Sequence, residues 1–424
     1  MTAPVIARIR PWLQRAAAAA TIVLPLMLMY GRAIADMLIG VIAVCFLLDC
    51  ALRRDWSWLR ERWVIVAGIW WGWLVFCSLP FIGSGGMQSL GQALADGRFL
   101  ILVAALEHFA LRRLAVRQWL GHMLTVCVVW IGGNALVQFA TGHNVMGWPR
   151  WPGGELTGPF EKPRAGAPLS RLVFPVVLPV VSRWLARRSF SGIAVAVGLT
   201  IATLAVLVLI GQRMPLLLTA FGMVIAALMQ RRLRGVVLAA LVAGGVLLAA
   251  SAVVSPPSFY RLVTKFSDQM EHWGASPYGL LFGRAIVITE ERPVIGHGAF
   301  GFRLACNDPA TFKGFSWQGE FAKDGGGTEG CNFHPHNHYM EALTDSGVPG
   351  LVLFSAMIVT WLMALGRGMG RDPNPLRVAL FVAAFIQEWP LASASSFTAM
   401  DSGGWFFLLL GWGLAEARFQ KTGP

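Results

Sequence analysis

Apolar runs of about 20 residues, the length that a bilayer-spanning helix needs, follow one another along almost the whole of this chain. Twelve such stretches can be drawn, at about 16–31, 34–51, 63–81, 98–111, 119–141, 171–186, 190–211, 214–230, 235–254, 347–366, 378–395 and 404–418. Two connections between them are very tight, at Gly31–Arg32 and at Gln212–Arg213. Charged residues make up only 13% of the 424, against roughly 25% in a soluble domain. The chain therefore reads as an all-α, polytopic integral membrane protein, a single transmembrane domain over 1–424. The first run passes directly into further spans and shows no convincing cleavage site, which sets a signal peptide aside.

A formal charge of +13 invites a nucleic-acid partner. The cations, however, sit in short clusters between apolar runs, the distribution that orients membrane proteins. Arg8, Arg10, Arg15, Arg53, Arg54, Arg60, Arg62, Arg112, Arg113 and Arg117 fall on one side of the twelve-span plan. Arg183, Arg187, Arg188, Arg231, Arg232, Arg234, Arg367, Arg371, Arg377, Arg418 and Lys421 fall on the same side. That side is expected to be cytoplasmic, with both termini on it. Residues 255–346 then form one outward loop between spans nine and ten, far longer than ordinary connections and expected to be partly helical and to carry the active site. Within it Phe259, Leu262, Val263, Phe266, Met270 and Trp273 recur at helical spacing. They mark an amphipathic helix, either on the membrane surface or packed on its own loop. A second outward segment, about 142–170, is rich in Pro, Gly and Trp and carries Glu155, Glu161, Lys162 and Arg164. No internal repeat is visible.

Chemistry concentrates where the long loop returns to the membrane. His334, His336 and His338 alternate there, with Glu341 and Asp345 following. Histidine is the side chain best suited to move protons near neutral pH. Alternating extended histidines can also chelate a metal, but no carboxylate or cysteine cluster completes a ligand set, so no metal is expected. A helix starting near Asn337 puts Glu341 one turn on and Asp345 one turn further, where either can orient an imidazole.

Two arginines complete the set. Arg213 sits between two spans just ahead of Pro215, a residue that suits a helix start. Arg284 opens a loop segment that ends in Arg292–Pro293–Val294–Ile295–Gly296–His297–Gly298. Guanidinium groups suit phosphate oxygens because they donate two bonds in one plane, which points to a phosphorylated lipid; snorkelling to the interface is the plainer account. Gly296–His297–Gly298–Ala299–Phe300–Gly301 lacks a P-loop lysine, so no nucleotide is expected. Of six cysteines, Cys45, Cys50, Cys77 and Cys127 fall in spans. Cys306 and Cys331 share the outward loop and are expected to form a disulfide if that side is oxidising.

These residues resemble the O-antigen ligase and polymerase superfamily of bacterial envelope glycan assembly. His336–Asn337, nine further residues and Gly347–Val348–Pro349–Gly350 match its H-[N/S/Q]-x9-G-x-x-[G/T/Y] signature at every fixed position. Arg213 matches an arginine at the start of the span before the last one preceding the large loop, and Arg284 with Pro293 and Gly296-x-Gly298 resembles a loop segment. The span count and the loop between spans nine and ten fit as well. The resemblance implies a GT-C-like glycosyltransferase of the bacterial inner membrane that works on the periplasmic side without metal or cofactor. Its donor would be a glycan on undecaprenyl pyrophosphate, held by Arg213 and Arg284. His336, by strict alignment, or His338 would activate the acceptor hydroxyl, with Asn337, Glu341, Asp345, Gly347 and Gly350 in support. Family members carry a late acidic residue, for which Asp401 is the candidate here; Arg164 is a further candidate. One dominant loop and no domain after the last span resemble the O-antigen ligases more than the polymerases or protein O-oligosaccharyltransferases. Lipid A-core is then the expected acceptor and lipopolysaccharide biosynthesis the process. A lipid-linked glycan transporter suits twelve spans but would show duplicated halves, and a scaffold leaves the histidines and arginines unexplained.

Overall fold

A computed structural model describes residues 3–419; Lys421 and the side chain of Arg8, both among the expected cytoplasmic cations, lie outside the described residues. Every regular element among them is helical. The first half of the chain gives α1 (Ala3–Tyr30), α2 (Arg32–Arg53), α3 (Arg62–Cys77), α4 (Gly86–Ala105, prolonged by one wide turn over Leu106–Ala110), α5 (Leu114–Thr141), α6 (Gly166–Ala186), α7 (Phe190–Ile210), α8 (Arg213–Met229) and α9 (Arg234–Val254). The long loop holds α10 (Pro256–Phe259), α11 (Lys265–Glu271), α12 (Pro277–Glu291) and α13 (Gly301–Ala305). The chain closes with α14 (His338–Gly366), α15 (Pro375–Gln387) and α16 (Gly403–Phe419).

Eight helices among the described residues are long and apolar enough to cross a membrane, consistent with a multi-pass membrane protein. Three of the twelve expected spans, 63–81, 214–230 and 378–395, are shorter apolar helices, Arg62–Cys77, Arg213–Met229 and Pro375–Gln387. Proline explains two of these stops. Pro80 and Pro390 each disfavour helical backbone in the residue before them, and residues 388–402 are irregular where a helix to 395 was expected. The fourth span begins earlier than expected, at Gly86, and the tenth begins at His338 instead of 347. Both tight connections are present. Gly31 alone separates α1 from α2, and Gly211, in the left-handed region at φ 75°, ends α7 just before α8. The amphipathic spacing over 259–273 is realised as helix from Pro256 to Glu271.

A single domain is expected over 1–424; the chain forms two compact units. The first comprises residues 1–113, 269–364 and 390–415, and the second 114–268, 365–389 and 416–424. In the first, α1 packs on α2, and α4 on α2 and α3. Its core is aromatic. Phe397, from the irregular stretch after α15, sits edge-on to Trp70, Phe354 and Phe407 at centroid distances of 5.7, 5.0 and 5.2 Å. Charged groups inside its helices find polar partners, which hydrocarbon favours: Arg10 Nε reaches Asp49 Oδ1 at 2.7 Å, and Trp63 Nε1 donates to Glu107 at 3.0 Å. In the second unit α6 packs on α7 and α15, and α7 on α9. Gly222 leaves room for the Phe174 ring, and Arg117 pairs with Glu416 at 2.9 Å.

Candidate active site

The first unit presents the histidines at the start of α14. Asn337 caps that helix: its Oδ1 accepts from the N–H groups of Tyr339 and Met340 at 3.0 and 3.1 Å, which satisfies donors left open at a helix start. Its Nδ2 donates to the carbonyl of Pro390 at 2.7 Å, tying the helix to the stretch after α15. His336 stands in the left-handed region at φ 55°, a conformation costing about 1–3 kcal/mol outside glycine. Its carbonyl is held there by the Ala394 N–H at 2.9 Å. The His336 ring lies edge-on to His334 at 4.3 Å and to Tyr278 at 6.0 Å. Its Nε2 is 3.3 Å from Asn332 Nδ2, an arrangement in which Nε2 carries the lone pair.

The three histidines differ in environment. His338, the first residue of α14, is buried against Phe397, with ring centroids 5.2 Å apart. His334 is half-buried, and its enclosed Nδ1 meets no hydrogen-bond partner. Burial, then the charges His336 and His338 would carry, push its pKa down to about 4, although the carboxylate of Asp401 pulls it up. Half-buried His336 is lowered too, by burial first, partly offset by the Ala394 backbone. Both imidazoles are therefore neutral at pH 7, the state that accepts a proton.

The carboxylates serve the scaffold. Glu341 accepts from Ser396 Oγ and, at 2.8 Å, from the Phe397 N–H; this seats Phe397 under His338. Asp345 Oδ1 accepts from the Gly301 N–H at 2.8 Å, so its hydrogen bond goes to the loop, where orientation of an imidazole was expected. Asp401 pairs with Arg32 at 2.9 Å.

Two glycine motifs, 50 residues apart in sequence, form one joint. At Ser346 and Gly347 (φ 68°, ψ −171°) α14 breaks its helical geometry. Residues 293–301 plug the break: the Val348 N–H donates to the Pro293 carbonyl at 2.8 Å, and Gly298 and His297 N–H donate to the carbonyls of Asp345 and Thr344 at 2.8 and 3.0 Å. A Cβ on Gly347 would strike the carbonyls of Val294 and Pro293, and one on Gly296 the backbone of Asp345. Trp73 Nε1 closes the joint on the Ser346 carbonyl at 2.9 Å. A Cβ on Gly350 would meet the Ser346 side chain.

Arg284 on α12 is fully buried. Its guanidinium donates to the carbonyls of Cys306, Asp324, Gly325 and Gly327 and to Thr311 Oγ1. The Phe312 ring covers it at 4.6 Å. In this arrangement it gathers the 305–327 loop about itself and is closed to solvent, whereas the resemblance implied a contact with the donor pyrophosphate. Cys306 and Cys331 are joined as a disulfide beside the same core, formed by Leu281, Ala285, Ile288 and Phe302.

The second unit holds the other arginines. Arg213 is the first residue of α8, half-buried, and Arg164 is exposed just before α6. Gln212 joins the two starts: its side chain accepts from the Gly166 N–H at 2.9 Å and donates to the Pro163 carbonyl. Two helix N-termini, where partial positive charge gathers, thus lie beside two arginines. Sequence reasoning missed the clamp behind them. Arg261 pairs with Glu155 and donates to the carbonyls of Gly211 at 3.3 Å and Gly153 at 3.1 Å. No sequence signal singled it out, because at helical spacing Arg261 falls opposite the face of Leu262, Phe266 and Met270.

Asn337, Arg213, Arg284, the three histidines and both glycine motifs fall within the stretch that comparison with known families singles out; Arg164 and Asp401 fall outside it. No curated protein matches the chain. Residues 198–355 match the family model described as O-antigen ligase, a match that supports membership of the O-antigen ligase-like superfamily.

Proposed function

We propose that this protein is an O-antigen ligase, a GT-C-like, metal-independent glycosyltransferase. It transfers the O-antigen glycan from undecaprenyl pyrophosphate to lipid A-core on the outer side of the inner membrane. The observation that carries the reading is His336, a neutral and reachable imidazole fixed by its backbone at the mouth of the loop. In the reaction an acceptor hydroxyl attacks the anomeric carbon of the donor glycan, and the bond from that carbon to the pyrophosphate oxygen breaks. The hydroxyl displaces Asn332 Nδ2 from His336 Nε2 and passes its proton there, and undecaprenyl pyrophosphate leaves with the bonding electrons. Guanidinium groups suit the charge that develops on the pyrophosphate, and Arg213 and Arg164 are the proposed candidates for that role. His338 and Asn337 position His336, and Arg284 shapes the loop.

The test is transfer by purified protein supplied with lipid-linked O-antigen and lipid A-core, read by gel electrophoresis. His336→Ala should lose roughly 10²–10⁴-fold in rate, the usual worth of a positioned base, while still binding donor. His338→Ala should lose less at the chemical step. Transfer at near wild-type rate by His336→Ala defeats the proposal.

A further inference from the structure

An aromatic strip runs away from His336 across the loop of the first unit. His336 meets Tyr278 edge-on at 6.0 Å. Tyr278 and Phe282 lie four residues apart on α12 and so share one face. Phe282 contacts Trp273 at 5.7 Å, Trp273 stacks on Trp317 at 5.3 Å, and Trp317 stacks on Phe315 at 5.4 Å with the ring planes 9° apart.

The strip is built rigidly. A Cβ on Gly274 would collide with the Trp317 carbonyl, and one on Gly279 with the Trp273 carbonyl, so glycine at both places lets the two tryptophans approach. Buried Gln318 locks the turn between the last two rings by accepting the Phe315 N–H at 2.7 Å. Yet Trp273, Tyr278 and Trp317 remain 40%, 41% and 41% exposed. Large rings held fixed and left wet mark a binding surface.

Its chemistry favours sugar over lipid. Exposed Glu271, Ser316 and Glu320 lie within three residues of the rings. By contrast, α9, an apolar span, exposes Leu238, Val242, Val246 and Val253. A ring face offers flat apolar area with polar groups at its rim, which fits a pyranose whose C–H face is apolar and whose hydroxyls stay in water. We infer that this strip is a glycan-binding track that takes successive sugars of an oligosaccharide leading up to His336. The inference rests on the glycosyltransferase reading for the identity of its ligand. The same hydroxyl-rich chemistry is offered by the donor glycan and by the acceptor core.

Saturation-transfer NMR on the full-length protein in nanodiscs tests it. The probes are O-polysaccharide and unsubstituted core oligosaccharide, each released by mild acid from lipopolysaccharide of the bacterium that encodes the chain. One probe should bind the wild type, and which one binds assigns the track to donor or acceptor. Trp273→Leu/Trp317→Leu keeps apolar bulk but removes ring faces, and should bind that probe about tenfold more weakly. Trp273→Phe/Trp317→Phe should restore most of the binding. In transfer assays the leucine pair should raise KM for the same substrate with little change in kcat. Equal binding by the leucine pair and the wild type, or no binding of either probe by the wild type, overturns the track. So does selective loss, in Trp317→Phe, of quenching by brominated lipid, which would make the strip a bilayer anchor. An active His336→Ala enzyme would instead defeat the catalytic reading and leave this binding readout intact.

Discussion

Replacing Arg284 with methionine separates a loop organiser from a ligand contact. The side-chain stem would keep its bulk, but the carbonyl of Gly327, now bonded at 2.8 Å, and that of Cys306 would lose their donor. Three further oxygens, Thr311 Oγ1 and the Asp324 and Gly325 carbonyls, lie at 3.4–3.5 Å and add little. Two well-formed charge-assisted bonds are worth roughly 1.5–3 kcal/mol each, and the Phe312 contact about 1 kcal/mol. Relief of burying a cation offsets part of this, which leaves a local cost of about 3–5 kcal/mol, in line with two buried carbonyls left unsatisfied at roughly 1–3 kcal/mol each. At 1.36 kcal/mol per tenfold, amide hydrogen exchange across 305–330 should speed up by roughly 10²–10⁴-fold, up to the limit set by residual structure. The disulfide still joins residues 306 and 331, so peptides between them are the ones to follow by mass spectrometry. Arg284→Lys, with a point charge and no planar fork, should fall between. Unchanged exchange in the methionine variant together with lost donor binding would refute this account and return Arg284 to the pyrophosphate.

The pH dependence has a definite sign. A base with a lowered pKa stays unprotonated further into acid, so the acidic limb of the rate profile should lie below the ordinary histidine value of 6.5, and a limb centred above it would contradict the assignment. His334, pushed down to about 4, binds fewer protons folded than unfolded between pH 4 and 6.5. Stability should therefore be full above 6.5 and decline as the pH falls through that window, measurable by thermal denaturation at stepped pH. Gly347→Ala meets fixed backbone carbonyls at a φ that resists side chains and should cost well over 1–3 kcal/mol. Gly350→Ala escapes the strained φ but meets the Ser346 Oγ and its Cβ, which no rotamer moves away, so it should destabilise as well; equal thermal stability of Gly347→Ala and wild type would dismiss the joint. EDTA should leave transfer unchanged, and activity lost in EDTA and restored by a divalent cation would revive metal chelation by the histidines.

What could be read from the sequence was local. Asn337 ahead of an apolar run was visible as a helix start, yet the tenth span was expected only from 347; the Gly-x-x-Gly after it was read as a signature, and nothing local told that the helix breaks there or which segment fills the break. Pro390 was equally visible, but the apolar run over 378–395 outweighed it. For Arg284 a signal of burial was present and not used. It lies three residues after Leu281 and four before Ile288, hence on the buried face of α12, whereas its charge alone pointed outward. The partners of Glu341 were illegible in principle, because Ser396 and Phe397 lie 55 and 56 positions away and no local pattern links them.

The stretch after α15 gives the site a clock. A nascent chain that has emerged only as far as Gln387 already contains His334, His336 and His338. It lacks the Pro390 carbonyl that anchors Asn337, the Ala394 amide that holds the His336 backbone, and the Phe397 ring against which His338 rests. The histidine arrangement seen here therefore forms only once residues 390–397 have been added to the chain. On the proposed reading, a truncation just after α15 would abolish transfer while leaving His336 itself in the chain, because the contacts that hold its backbone and its helix come from residues 390–397.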